Sequence, residues 1–189
     1  MWCARRTGSL RALHRALHFH VGRTYSTVMN PLAELKRRSM IVSCTGEVPN
    51  EHTVAYVGFD PTADALHIGS LVQLNAMRLL AHAGHDVVAL IGTATALVGD
   101  PTGRSTERPV LSPDQLVENA AGIEECIRRI VPSAVVVRNG DWWSNFGAVE
   151  FLRDVGRHFR VGKMLGQESV RRRLENDGLS FTEFSYSLM

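Results

Sequence analysis

Two short apolar runs, TVAYVGF at 53–59 and DVVALIG at 86–92, frame a stretch whose apolar residues recur at positions 66, 71, 74, 77, 80 and 81. Runs rich in β-branched and aromatic residues read as buried strands, and recurrence every three to four residues reads as one face of a helix. The helix is expected from Leu66 to a C-cap at Gly84. Strand, helix and strand in that order form a βαβ unit, which requires the two strands to run parallel. Downstream, SPDQ at 112–115 is a capping box with Pro113 at the first helical position, opening a helix to about Ile130. AVVV at 134–137 supplies a third strand. The expected class is therefore α/β, a parallel sheet with flanking helices.

Between and around these elements the reading is coarser. Residues 26–50 read as an extension, a short basic helical piece and then a loop through Gly46 and Pro49. Residues 95–109 read as a polar loop rich in Gly and Pro, and helices are expected over 144–157 and 166–175. A second capping box, SFTE at 180–183, opens a helix that is cut off at Met189, so the chain reads as a fragment whose domain over 51–189 is incomplete.

Charge is unevenly spread. The net charge is +2, yet no Asp or Glu precedes Glu34, whereas Arg5, Arg6, Arg11, Arg15 and Arg23 do. Without those five, 16 of the 21 basic residues face 19 acidic ones, and the body of the protein is slightly acidic. Leu10, Leu13 and Leu17 recur at helical spacing with Arg11 and Arg15 on another face, the pattern of an amphipathic mitochondrial presequence over residues 1–25. RTYS at 23–26 resembles a matrix-peptidase cleavage site. The expected address is the mitochondrial matrix; the bland alternative is a basic tail without an address. No run of 18 apolar residues appears, so no membrane span is expected. Cys3, Cys44 and Cys126 are odd in number and lack C-x-x-C spacing, which argues against a disulfide framework or a metal site.

Ligands of parallel α/β sheets bind beyond the carboxyl ends of the strands. GFDPTADALHIGS, at 58–70, stands at such an end. Gly58 would let a ligand approach the backbone, and a helix start near His67-Ile68-Gly69 would offer free N–H groups to a phosphate. His67 would add a donor to the same anion. GDPTGR, at 99–104, follows the next strand and brings Asp100, Arg104 and, four residues on, Arg108. Singly these are turns and caps; each placed after its own strand, they point to a site for a phosphate and an amine.

YVGFDPTADALHIGSL, ALIGTATALVGDPTGRSTER, FLRDVGRHF and SFTEFSY together resemble the catalytic domain of bacterial and mitochondrial tyrosyl-tRNA synthetases, nearly collinearly over residues 52–189. HIGS stands where class I synthetases carry a His-Ile-Gly-His signature. The resemblance implies a Rossmann-like domain and an enzyme, a tyrosine–tRNA ligase acting on tyrosine, ATP and tRNA(Tyr). Mg²⁺ would arrive with the nucleotide, with no tightly bound cofactor.

It also implies roles. Tyr56 would pair with the phenolic hydroxyl of tyrosine, Asp100 and Tyr186 would hold its α-ammonium, and Thr95 would support the amino acid pocket. Gly58, Asp60 and Thr62 would line the ATP site, with His67, Gly69 and Ser70 at the signature. Arg104 and Arg108 would clamp the departing pyrophosphate. Arg171, Arg172 and Arg173 would meet tRNA phosphates, the bland alternative being a solvated helix face. Glu168 would repel wrong tRNAs. Phe181 is expected to be buried in the chain, while the resemblance puts it at the subunit interface of a homodimer; Trp142 and Trp143 are expected to serve packing.

Two departures qualify the resemblance. Ser70 replaces the second signature histidine, and the family's Lys-Met-Ser-Lys-Ser-like loop has no counterpart in the 189 residues. The residues alone are therefore expected to be inactive. The rivals are a non-catalytic tRNA-binding or dimerising fragment and a tryptophanyl-type synthetase.

Overall fold

The computed structural model describes residues 30–44, 46, 51–100, 111–175 and 178–189. The proposed presequence, Arg104 and Arg108 lie outside the described residues. The chain divides into two compact units.

The first unit, Met1–Phe59, Ala63–Ile91 and Ala121–Val137, holds the sheet. Strand β1 (Val54–Phe59) pairs in parallel with β2 (Asp86–Ile91), from Val54 opposite Asp86 to Phe59 opposite Ile91. β3 (Val135–Arg138) completes a three-stranded parallel sheet in the order β1-β2-β3. The βαβ unit read from the sequence is thus present. The central strand is buried through Val87, Val88, Ala89 and Ile91. β1 differs from expectation: Val54, Tyr56 and Gly58, two residues apart and so on one face, are exposed, with Tyr56 at 72%. The helix Ser70–His82 packs on β1, and the face of β1 that carries Val54, Tyr56 and Gly58 is left uncovered among the described residues.

Helix α1 (Pro31–Arg37) is stopped at its N-terminus by Asn30, whose side chain accepts from the N–H groups of Leu32 (3.0 Å) and Ala33 (3.2 Å). Helix α2 (Ser70–His82) covers β1 and β2, burying Leu74 and Met77. It starts at Ser70, so Leu66 lies in the turn before it. It ends at His82 with Ala83 as its C-cap, and Gly84 follows at φ 91°. There the N–H of His85 reaches the carbonyl of Leu80 and that of Gly84 the carbonyl of Ala81, each at 3.1 Å. This double closure needs a left-handed residue, which glycine adopts without a Cβ clash.

The second unit is Asp60–Thr62, Gly92–Ala120 and Arg138–Met189. Its helices are shorter than the sequence suggests. Thr95–Val98, read as loop, forms one helical turn, α3, followed by the long α4 (Pro113–Ile130), whose second half belongs to the first unit. The helix expected over 144–157 is shortened to α6 (Ala148–Asp154) and a 3₁₀ turn, Gly156–His158, with a separate turn of helix, α5 (Gly140–Trp143), before it. The helix expected over 166–175 is present as α8 (Glu168–Glu175), with a short α7 (Val161–Leu165) before it. Glycines at 147, 156 and 166 stand at these breaks, where a residue poor in helix propensity costs about 1 kcal/mol against alanine. Trp143 packs on the rings of Phe146 (5.2 Å) and Phe151 (5.5 Å), the packing role expected of it. Ser180 caps α9 (Phe181–Ser185), accepting from the N–H of Glu183 at 3.2 Å, and a 3₁₀ turn, Tyr186–Leu188, follows.

In α1 the Glu34 carboxylate accepts from Arg37 (2.7 Å, twice) and Arg38 (2.6 Å). Those guanidiniums hold its carboxyl down to about 2 from an ordinary 4.5. A depressed carboxyl contributes stability above its ordinary value and loses it as pH falls through the folded one. Glu34→Gln is therefore expected to be the less stable protein at neutral pH, with the gap to wild type closing as pH falls from 4.5 towards 2. Thermal melts across that range check it; a gap independent of pH would contradict the assignment.

Candidate active site

Three short segments of the second unit each begin, in the chain, where a strand ends: Asp60 after β1, Gly92 after β2 and Asn139 after β3. Their polar groups meet. Asp60 accepts at Oδ1 from the Thr95 hydroxyl (2.8 Å) and at Oδ2 from the Tyr186 hydroxyl (2.7 Å). Thr95 Oγ1 accepts in turn from the Asn139 side-chain amide at 3.2 Å, and Asn139 Oδ1 accepts from the Ala94 N–H at 2.7 Å. Gly140 N–H donates to the Thr93 hydroxyl at 2.9 Å, and Asn119 to the carbonyl of Pro61 at 3.0 Å. Thr95 and Asn139 are buried, at 7% and 1% exposure; Asp60 and Tyr186 are partly exposed.

The direction of each bond follows from donor counts. An ionised carboxylate only accepts, so both hydroxyls must give Asp60 their protons. The Thr95 oxygen is then left with lone pairs, one of which takes the Asn139 N–H. The chain Asn139 to Thr95 to Asp60 fixes three side chains in one orientation, with Tyr186 completing it from the far end of the sequence. Buried polar groups satisfied in this way are rigid.

Asp60, Thr95 and Tyr186 were singled out from the sequence, Asp60 for ATP and the other two for tyrosine; the structure brings them together. Asp100 is half-buried and Thr62 exposed in the same unit. Asn139 was not singled out, because Asn-Gly after a strand reads as an ordinary turn; its place beyond a third strand end was the available signal. Gly92 escaped likewise. A Cβ there would stand 2.0 Å from Asp60 Oδ1 and 2.3 Å from Thr95 Oγ1, so only glycine admits the contact.

In the first unit, Tyr56, Gly58, His67 and Gly69 are exposed, and Ser70 is buried at 8%. The free N–H groups expected at the start of α2 are already engaged. Gly69 N–H donates to His67 Nδ1 (3.0 Å), Ser70 to the His67 carbonyl (2.9 Å), Leu71 to that of Ile68 (3.1 Å) and Val72 to that of Gly69 (3.4 Å). A tight first turn satisfies its own donors. With Nδ1 accepting, the neutral His67 ring carries its proton on Nε2. The donor left for an anion is thus the ring rather than the backbone.

Two expectations are corrected. Phe181 is not buried but 76% exposed on α9. Arg173 does not share the solvated face of its neighbours: it is 4% exposed and donates to the Glu183 carboxylate at 2.8 Å. Three consecutive helical positions span more than half a turn, so a run of arginines cannot all face one way. Arg173 lies on the side of buried Val170, three residues back, while Arg171 and Arg172 are exposed and Arg172 pairs with exposed Glu168.

A family model described as tRNA synthetases class I (W and Y) matches residues 48–189. The chain belongs to that family. Among its relatives, the tyrosine–tRNA ligase of Rhodopirellula baltica is 43% identical over 179 residues, 88% of this chain and 41% of that protein. Among the solved structures that align with this chain are two C-terminally truncated mitochondrial tyrosyl-tRNA synthetases. That of Coccidioides posadasii has a TM-score of 0.71 at 25% identity, covering 95% of this chain and 52% of its own. That of Aspergillus nidulans has a TM-score of 0.60 at 32% identity, covering 73% and 43%. The synthetase chain described here spans about two fifths of the length of the curated relatives it matches.

Because Gly92 faces Asp60 and Thr95, Gly92→Ala is expected to break the synthetase cluster and cost about 1–3 kcal/mol, the usual penalty of overpacking. Denaturant midpoints of the two proteins measure it. An unchanged midpoint would mean that the carboxylate can swing aside at no cost.

Proposed function

We propose that this chain belongs to an enzyme that activates tyrosine with ATP and transfers it to tRNA(Tyr) in the mitochondrial matrix. The observation that carries the reading is the Asp60 carboxylate bonded to the hydroxyls of Thr95 and Tyr186, in a chain whose relatives are named tyrosine–tRNA ligases. Tyr186, held in that rigid set, and the Asp100 carboxylate would receive the α-ammonium of tyrosine. Tyr56 would meet the phenolic hydroxyl of the substrate.

In the proposed reaction the tyrosine carboxylate attacks the α-phosphorus of ATP. Pyrophosphate leaves, and the adenylate then gives its acyl group to the terminal ribose of the tRNA. No side chain forms a covalent bond; catalysis is positioning and stabilisation of charge on the phosphates. His67 Nε2–H would donate to those phosphates, with Gly58, Asp60, Thr62, Gly69 and Ser70 around the nucleotide and Arg104 and Arg108 on the pyrophosphate. Mg²⁺ would enter as part of the nucleotide substrate, carried by its phosphate oxygens. Arg171, on the exposed face of α8, would meet tRNA phosphate, and exposed Phe181 would serve a homodimer. No helix among the described residues is long and apolar enough to cross a membrane.

Tyrosine-dependent ATP–pyrophosphate exchange tests the reaction in the full-length enzyme. His67→Ala is expected to slow exchange by about 10²–10³, the usual loss for one donor to developing charge, and to leave tyrosine affinity nearly unchanged. Tyr56→Phe is expected to narrow the preference for tyrosine over phenylalanine, mainly by weakening tyrosine. Normal exchange in the first variant and an unaltered preference in the second would overturn the roles given to these residues.

The address is tested separately. The acid-free arginine helix is expected to be removed near Ser26 on import, so N-terminal sequencing of protein from purified mitochondria should begin close to that residue. An intact Met1 there would refute the presequence.

A further inference from the structure

Helices α8 and α9 are joined by an ion pair that the reaction does not use. Arg173 Nη2 donates to the Glu183 carboxylate at 2.8 Å, with side-chain exposures of 5% and 2%. A pair so deeply buried stabilises little, because removing both charges from water costs about as much as their attraction returns. Its best attested use is to specify one arrangement among several. Here the arrangement at stake is the setting of α9.

That helix has five residues, too few to hold itself, and its start is pinned by the Ser180 cap. A cap fixes where a helix begins and leaves its rotation about its own axis free. Glu183 lies three residues before Tyr186, about one turn, so the two project on the same side. Fixing the Glu183 carboxylate on Arg173 therefore fixes the direction in which the Tyr186 ring leaves the chain. That ring ends 2.7 Å from Asp60 Oδ2. α9 also packs against α3, the turn that carries Thr95.

We propose that Arg173 and Glu183 are positioning residues that set the Tyr186 hydroxyl on Asp60, and that they thereby tune the affinity for tyrosine. The second half of this rests on the assignment of Tyr186 to the tyrosine site; the first does not. Arg173 accordingly acts through α9 and not on tRNA phosphate.

The test uses the full-length enzyme with tyrosine carbon-13-labelled at Cζ, in which the signal lost on Tyr186→Phe is that of Tyr186. Replacing both charges by apolar groups, Arg173→Met with Glu183→Leu, should preserve the melting temperature, since buried pairs tolerate such exchange. The Tyr186 signal is expected to leave its native position for the one seen in Asp60→Ala, and Arg173→Lys with Glu183 intact is expected to keep it near native. If the double variant fails to fold, Glu183→Gln is read in the same way. A native Tyr186 signal in a folded variant overturns the proposal.

Tyrosine binding separates the two halves. If Tyr186→Phe leaves the affinity unchanged, the substrate role of Tyr186 falls, and the labelled signal still decides the positioning. If Tyr186→Phe weakens it, the double replacement should weaken it by about tenfold alone and add nothing in the Tyr186→Phe background. Additive losses would overturn the coupling.

Discussion

One carboxylate organises the second unit. Asp60 has two oxygens and gives one to Thr95 and the other to Tyr186, residues that lie 35 and 126 positions away in the chain. Remove it and Thr95 has no carboxylate to point at, Tyr186 loses its acceptor, and the absence of a side chain at Gly92 has no purpose. The surroundings are built to keep the charge in place. Asn119 ties down the carbonyl of Pro61, and Asn139 fixes Thr95 from behind.

The parts of the fold that were legible in the sequence are those set by local pattern. β2 alternates with nothing polar, α2 and α4 repeat every three to four residues, and the boxes at Ser112 and Ser180 cap as their spacing requires. What stayed hidden depends on partners far along the chain. The exposure of Tyr56 on β1 depends on what packs over that face, which no window around residue 56 contains. Arg173 looks like one more surface arginine until Glu183, ten residues on, is folded against it. Asn139 is read as a turn residue because its two partners, Ala94 and Thr95, sit some 45 residues upstream. The resemblance of the motifs to a synthetase found Asp60, Thr95 and Tyr186 without indicating that they touch.

The two ends of the candidate chemistry are built on different physical terms. At His67 the backbone closes on itself: every N–H from Gly69 to Val72 has an acceptor, and what is offered outward is an imidazole edge on an exposed turn. At Asp60 the polar groups are drawn inward and paired with buried neighbours. An exposed donor can follow a moving phosphate, whereas a buried acid network holds one shape. The first is thus compliant and the second stiff.

The spacing of the Asp60 partners also sets an order of assembly. Closing a chain loop costs entropy that rises with the logarithm of its length, so the 126-residue loop to Tyr186 is about 1 kcal/mol dearer than the 35-residue loop to Thr95. Tyr186 also emerges from the ribosome 91 residues after Thr95, long after Asp60 and Thr95 are free to meet. Until then the second oxygen of the carboxylate has no phenol to accept from. The last turn of the described chain thus supplies the bond to Asp60 that spans the longest loop and is the last to become possible.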